Sequence, residues 1–154
     1  MDSAKNQIIS VSPSLAPFHL LELADPSTKQ IESYLYNGSC FVLREQSKDI
    51  GVCVLTELDS NQIEIKNLAV DPAFQRKGYA RQLIQHAIQF AGKKGYHSIL
   101  IGTGNSSIHQ LQFYQKEGFQ IKETIKNFFI ENYNEPIYEN GIQCCHLIMM
   151  EYQL

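Results

Sequence analysis

The stretch Gln75-Arg76-Lys77-Gly78-Tyr79-Ala80 is the part of this chain best equipped for chemistry. Two cations precede a glycine and, two residues on, an alanine. From Ala80 the apolar residues Leu83, Ile84, Ala87, Ile88 and Ala91 recur at helical spacing. The first amides of a helix have no partners inside it and sit at the positive end of its dipole. Gly78 lets a ligand approach the backbone, and Arg76 adds a charge, so the junction suits a phosphate or pyrophosphate. An ordinary helix entry with solvated charges is the plainer alternative. Gly102-Thr103-Gly104, between a strand-like run and a second helical one, resembles the opening of a dinucleotide fingerprint. Its third glycine should fall at Ser107 and does not, and the βαβ half that should precede it is missing. Cys40, Cys53, Cys144 and Cys145 show no C-x-x-C spacing, and no histidine falls in a ligand pattern, so reduced thiols and no metal are expected.

The elements that must position the junction follow from periodicity and punctuation. With 154 residues, of which 44% are hydrophobic and 19% charged, the chain is sized for a single domain, 1–154. A short strand spans Gln7 to Val11, followed by an irregular stretch around Pro13 and Pro17. Asp25-Pro26-Ser27 opens a helix that runs to about Tyr36. Strand-like runs at Ser39 to Glu45, Ile50 to Glu57 and Gln62 to Val70, joined by short polar turns, predict an antiparallel meander. The long helix then ends at Lys93-Lys94-Gly95, and His97 to Ile101 reads as a buried strand. A second helix covers Ser106 to Glu117, Phe119 opens another strand, and a last one runs Gln143 to Tyr152. Between these two strands, Asn127 to Tyr138 reads as a long aromatic loop. The class is α/β (α+β), a mixed sheet with packed helices.

Charge narrows the partners. Thirteen Lys plus Arg against sixteen Asp plus Glu give a net charge of −3, no broad field for nucleic-acid phosphates. No apolar run is long enough to span a membrane, and the N-terminus lacks the pattern of a secretion signal. A cytoplasmic location is the expectation.

Gln75-Arg76-Lys77-Gly78-Tyr79-Ala80 resembles the Q/R-x-x-G-x-G/A signature of the GCN5-related N-acetyltransferases, and Tyr114 with Lys116-Glu117-Gly118-Phe119 resembles that family's Y-x-K-x-G-F ending. The resemblance spans roughly Ser39 to Phe119. It implies a mostly antiparallel central sheet of six to seven strands, helices on both faces, and two central strands that splay apart. It implies that acetyl-CoA is bound by Gln75 to Ala80 and by the strand residues Leu68, Ala69 and Val70, and that a neutral primary amine attacks the acetyl group with no acyl-enzyme. Tyr114 matches the family tyrosine whose hydroxyl lies near the sulfur; a core stripe with Ile108 and Leu111 is the alternative. Glu64, eleven residues before Gln75, matches a glutamate that is catalytic in some members. On a two-residue period it shares a face with Lys66, Leu68 and Val70, and Lys66 would lower its pKa. A surface ion pair, or a proton relay through water, is the alternative. The family places an asparagine seven residues before the tyrosine. Here Ser107 stands there and Asn105 two residues earlier, so either contacts the cofactor or caps the helix.

The acceptor is then a small-molecule or protein amine, a small cationic one being favoured by Glu131 and Glu135 in the aromatic loop and Glu139 directly after it. A homodimer is an expectation of family habit. A domain that binds acyl-CoA without turnover, as a sensing module, is the competing reading.

Overall fold

The computed structural model describes residues 6–154; the first five residues, included in the reading of the N-terminus, lie outside it. β1 (Asn6–Val11), β2 (Ser39–Glu45), β3 (Lys48–Glu57) and β4 (Gln62–Val70) pair antiparallel in chain order. Gln46 and Ser47, both at positive φ, close the β2–β3 hairpin in two residues. β5 (Ser98–Gly104) lies parallel to β4, and β9 (Leu147–Gln153) inserts between β5 and β6 (Gln120–Ile125). The sheet order is β1-β2-β3-β4-β5-β9-β6, seven strands with one parallel pair, as expected.

Two helical layers cover it. α1 (Phe18–Ala24) and α2 (Thr28–Leu35) bury Leu20, Leu21, Ile31 and Leu35 on Val42, Val52 and Val54. α3 (Tyr79–Lys93) buries Leu83, Ile84, Ala87 and Ala91 on the other face, against Leu43, Ile65 and Ile99, and Tyr114 of α4 (Ile108–Lys116) joins that core. Because β2 and β3 are covered on both sides, they read as continuous apolar runs rather than alternating ones. Each such aliphatic side chain contributes about 1.5–3 kcal/mol by leaving water.

Three expectations need correction. The stretch around Pro17 contains α1, which begins directly after that proline. The loop after Ile125 holds α5 (Phe128–Asn132), and beyond it β7 (Tyr138–Glu139) and β8 (Ile142–Gln143) pair as a small hairpin; β9 therefore starts at Leu147, not Gln143. The third concerns β4. Val54 pairs with Asn67 but Leu55 with Ile65, so Lys66 is an extra residue, a β-bulge. The bulge shifts the alternation of side chains. Ile63, Ile65, Leu68 and Val70 pack on the α3 side, while Ala69 packs with α1 and α2 and Asn67 bonds to both helices. Glu64 therefore shares a face with Lys66 but not with Leu68 and Val70.

Candidate active site

The parallel pairing of β4 with β5 stops at Ile65 opposite Ile101. Past that point Asn67 to Val70 pair only with β3, and Gly102 to Gly104 only with β9, so the two central strands fork. A cleft occupies the fork in two parts. A groove of about 490 Å³ lies along Leu68–Val70 and the start of α3, and a chamber of about 380 Å³ lies on the other side. Leu68, Gln110 and Tyr114 border both.

The groove is built by the turn into α3. Gln75 Nε2 donates to the Val70 carbonyl at 3.0 Å and fixes the turn to the strand end. Arg76 and Gly78 both adopt the left-handed conformation, at φ 65° and 83°, which for the arginine costs on the order of 1 kcal/mol. The first helical bond runs from Gln82 N–H to the Gly78 carbonyl at 3.1 Å, leaving the amides of Tyr79, Ala80 and Arg81 without helical partners. A Cβ on Gly78 would meet nothing within 4 Å, so the space over these amides is open. The arrangement fits a pyrophosphate. The β5-facing backbone edge of Leu68, Ala69 and Val70 lines the same groove, free for an extended arm to pair with. Gln75, Arg76, Gly78, Tyr79 and Ala80 line it too, whereas Lys77 does not: its Nζ lies over the Phe74 ring at 5.4 Å. The Tyr79 hydroxyl donates to Glu45 Oε1 at 2.9 Å, anchoring the helix start to β2.

Glu64 and Lys66 stand in the chamber with Lys66 Nζ 3.7 Å from Glu64 Oε2. Burial pushes the Glu64 pKa above the usual carboxylate range, and this outweighs the lowering by Lys66. The expected direction is thus reversed. Tyr114 is buried at the junction of groove and chamber; burial, with Cys53 nearby, raises its pKa and keeps the hydroxyl protonated.

Asn105 and Ser107 are turned to another task. The Asn105 Oδ1 accepts from the N–H groups of Cys145 and His146, both at 2.8 Å, its Nδ2 donates to the Gln143 carbonyl at 3.3 Å, and it lines neither cavity. Ser107 lines the chamber and donates its hydroxyl to Glu139. Neither lines the groove, and both pin the segment before β9. Gly102 and Gly104 have a packing reason rather than a nucleotide-binding one: a Cβ at Gly102 would meet Met149 Sδ at 2.8 Å, and one at Gly104 would overlap Cys144 Sγ.

Sequence reasoning missed part of the chamber wall. Asp25, Tyr34 and Asn67 line it, joined by Tyr133 and Glu139 from the aromatic segment; Glu131 and Glu135 do not. Asn67 carried a readable signal, a polar amide inside the apolar run of β4. Among the described residues no cluster of His, Cys, Asp and Glu could hold a metal ion, and no helix is long and apolar enough to cross a membrane.

The acetyltransferase (GNAT) domain model matches residues 36–121, more than half of the chain. The chain belongs to the GNAT acetyltransferases. It is 44% identical over 133 residues to the uncharacterized N-acetyltransferase YvbK of Bacillus subtilis, covering 86% of each protein. Its fold matches a GNAT family acetyltransferase from Elizabethkingia anophelis with acetyl-CoA bound, at TM-score 0.94 and 42% identity, over 97% of this chain and 99% of that one. A Bacillus subtilis acetyltransferase in complex with CoA matches at TM-score 0.87 and 41% identity, over the same shares. The family identity accounts for the forked sheet and for the turn into α3 that the sequence signature marked.

Proposed function

We propose that this GNAT acetyltransferase transfers the acetyl group of acetyl-CoA to a primary amine by direct attack, with a small cationic amine as acceptor. The observation that carries the reading is the fork itself, where an unpaired strand edge and an open helix start lead to Tyr114 and, past it, to a chamber containing Glu64. Acetyl-CoA supplies an activated acyl group as a thioester. The amides of Tyr79, Ala80 and Arg81, with the Arg76 charge, hold its pyrophosphate, and the edge of Leu68 to Val70 aligns the arm toward the junction.

Two proton movements remain, and two side chains suit them. An ammonium group with a pKa near 10 must lose a proton before it can attack. Glu64, its pKa raised by burial, accepts that proton on the chamber side. Tyr114, kept protonated by burial, donates at the departing sulfur. Cys40 and Cys53 play no part: both are buried in the sheet core, and burial raises the pKa of each.

The test is amine-dependent thiol release from acetyl-CoA by the purified protein, with the acetylated amine identified by mass spectrometry. Release that rises with amine concentration and yields an equal amount of amide supports the reading. Tight acetyl-CoA binding with no release across an amine panel would leave a sensing module instead.

A further inference from the structure

The chamber carries more negative charge than a single amine needs. Glu64 faces Lys66, yet Glu22, Asp25 and Glu139 line the same space, and Lys66 is the one lysine or arginine among the lining residues. Asp25 is buried, 7% exposed, and its hydrogen-bond donors are neutral. Its Oδ1 accepts from the Tyr133 hydroxyl at 2.9 Å and the Ser27 N–H at 3.2 Å, and its Oδ2 from the Tyr34 hydroxyl at 3.1 Å. A carboxylate withdrawn from water and met only by neutral donors is costly until a cation joins it.

Asn67 supplies an independent observation. It is 3% exposed and lines the chamber. Its Nδ2 donates to the Leu21 carbonyl and to the Tyr34 hydroxyl, both at 3.0 Å, while its Oδ1 has no partner. That unpaired Oδ1 is covered beside the chamber wall, so a ligand N–H reaches it once a small rotation of the amide uncovers it. The Tyr34 hydroxyl touches Asp25 and Asn67 alike, so carboxylate and unpaired oxygen form one locus. The chain also displays how an ammonium sits here: Lys66 Nζ lies between Glu64 Oε2, at 3.7 Å, and the Tyr34 ring, at 5.7 Å from its centroid.

We propose that the acceptor carries two cationic nitrogens, a terminal diamine or polyamine, one reacting beside Glu64 and the other held at the Asp25–Asn67 locus under Tyr34 and Tyr133. This rests on the amine-transfer reading above. The rival acceptor is an amino acid whose carboxylate pairs with Lys66.

Thiol release at saturating acetyl-CoA is compared for tetramethylenediamine, butylamine and γ-aminobutyrate, which match in carbon count. The kcat/KM for the diamine is expected to exceed that for butylamine by about tenfold or more, chiefly through KM, with γ-aminobutyrate the poorest. Asp25→Asn keeps an acceptor for one of the two tyrosine hydroxyls but removes the charge, and the diamine-to-butylamine ratio should fall toward one. Glu139→Gln should lower the same ratio without touching the Asp25 bonds. A ratio near one in the wild-type protein, or a preference for γ-aminobutyrate, overturns the proposal. Calorimetric titration of tetramethylenediamine into coenzyme A-loaded protein separates the two claims. Diamine binding without thiol release for any amine supports the dication locus and overturns amine transfer; thiol release without diamine preference overturns the locus alone.

Discussion

At the scale of the residue, the balance at Glu64 decides what the chamber can do. Burial disfavours its ionised form more than Lys66 favours it, so its folded pKa lies above the ordinary value of 4.5. A carboxylate poised closer to neutrality is the better base. In Glu64→Gln the amine must arrive already deprotonated, so the acidic limb of the kcat/KM profile should move to higher pH; an unmoved limb would remove Glu64 from the proton path. Stability gives a second readout with a definite sign. Because the folded state favours protonated Glu64, the ionised carboxylate costs stability as pH rises from about 4.5 through the folded pKa. The Gln variant should therefore melt higher than wild type at neutral pH, and that gain should vanish below the ordinary value. The spacing to Gln75 made Glu64 legible in the sequence, but the direction of its pKa was not. Lys66 is visible two residues away, whereas the burial that outweighs it depends on the helices packed over β4.

At the scale of the element, the turn into α3 was legible and the bulge in β4 was not. Apolar period, preceding glycine and terminal lysines all belong to α3 itself, and the helix runs Tyr79–Lys93 much as they predict. The bulge at Lys66 exists only relative to β3, so no pattern within β4 discloses it. Helices of seven and five residues, such as α1 and α5, are too short for periodicity to declare and are held by tertiary contacts. Gly78 ties conformation to the site. Its φ of 83° lies in the left-handed region while a Cβ would meet no atom, so Gly78→Ala should cost about 1 kcal/mol of stability for backbone reasons alone, measured by denaturant unfolding. Asn105 tests the reassignment of a residue matched to the cofactor. Asn105→Ala removes the acceptor of two backbone amides, so it should destabilise by about 1–3 kcal/mol and speed hydrogen exchange at Cys145 and His146. Its affinity for acetyl-CoA should stay within about twofold; a large loss would return Asn105 to the binding groove.

At the scale of the whole molecule, the groove is made by consecutive elements and the chamber by distant ones. β4, the turn and α3 lie within one stretch of chain, which is why a short signature marks them. The chamber joins the α1–α2 connection to the segment before β9, through Tyr133 to Asp25 and through Gln30 Nε2 to the Asn132 carbonyl at 3.1 Å. Such pairs, about a hundred residues apart, leave no local trace, and most of the chamber wall stayed hidden for that reason. Acetyl-CoA at about a hundred times its dissociation constant should stabilise the fold by about 2.7 kcal/mol, a rise of roughly 5–10 °C in Tm. NADH at the same excess should leave Tm unchanged. Groove and chamber meet at Tyr114, so the most direct test is the acetyl-transfer rate of Tyr114→Phe, measured at saturating acetyl-CoA and amine. Loss of the donor at the departing sulfur predicts a fall in kcat of about tenfold or more, with acetyl-CoA affinity nearly intact. A variant that keeps the full rate would contradict the account.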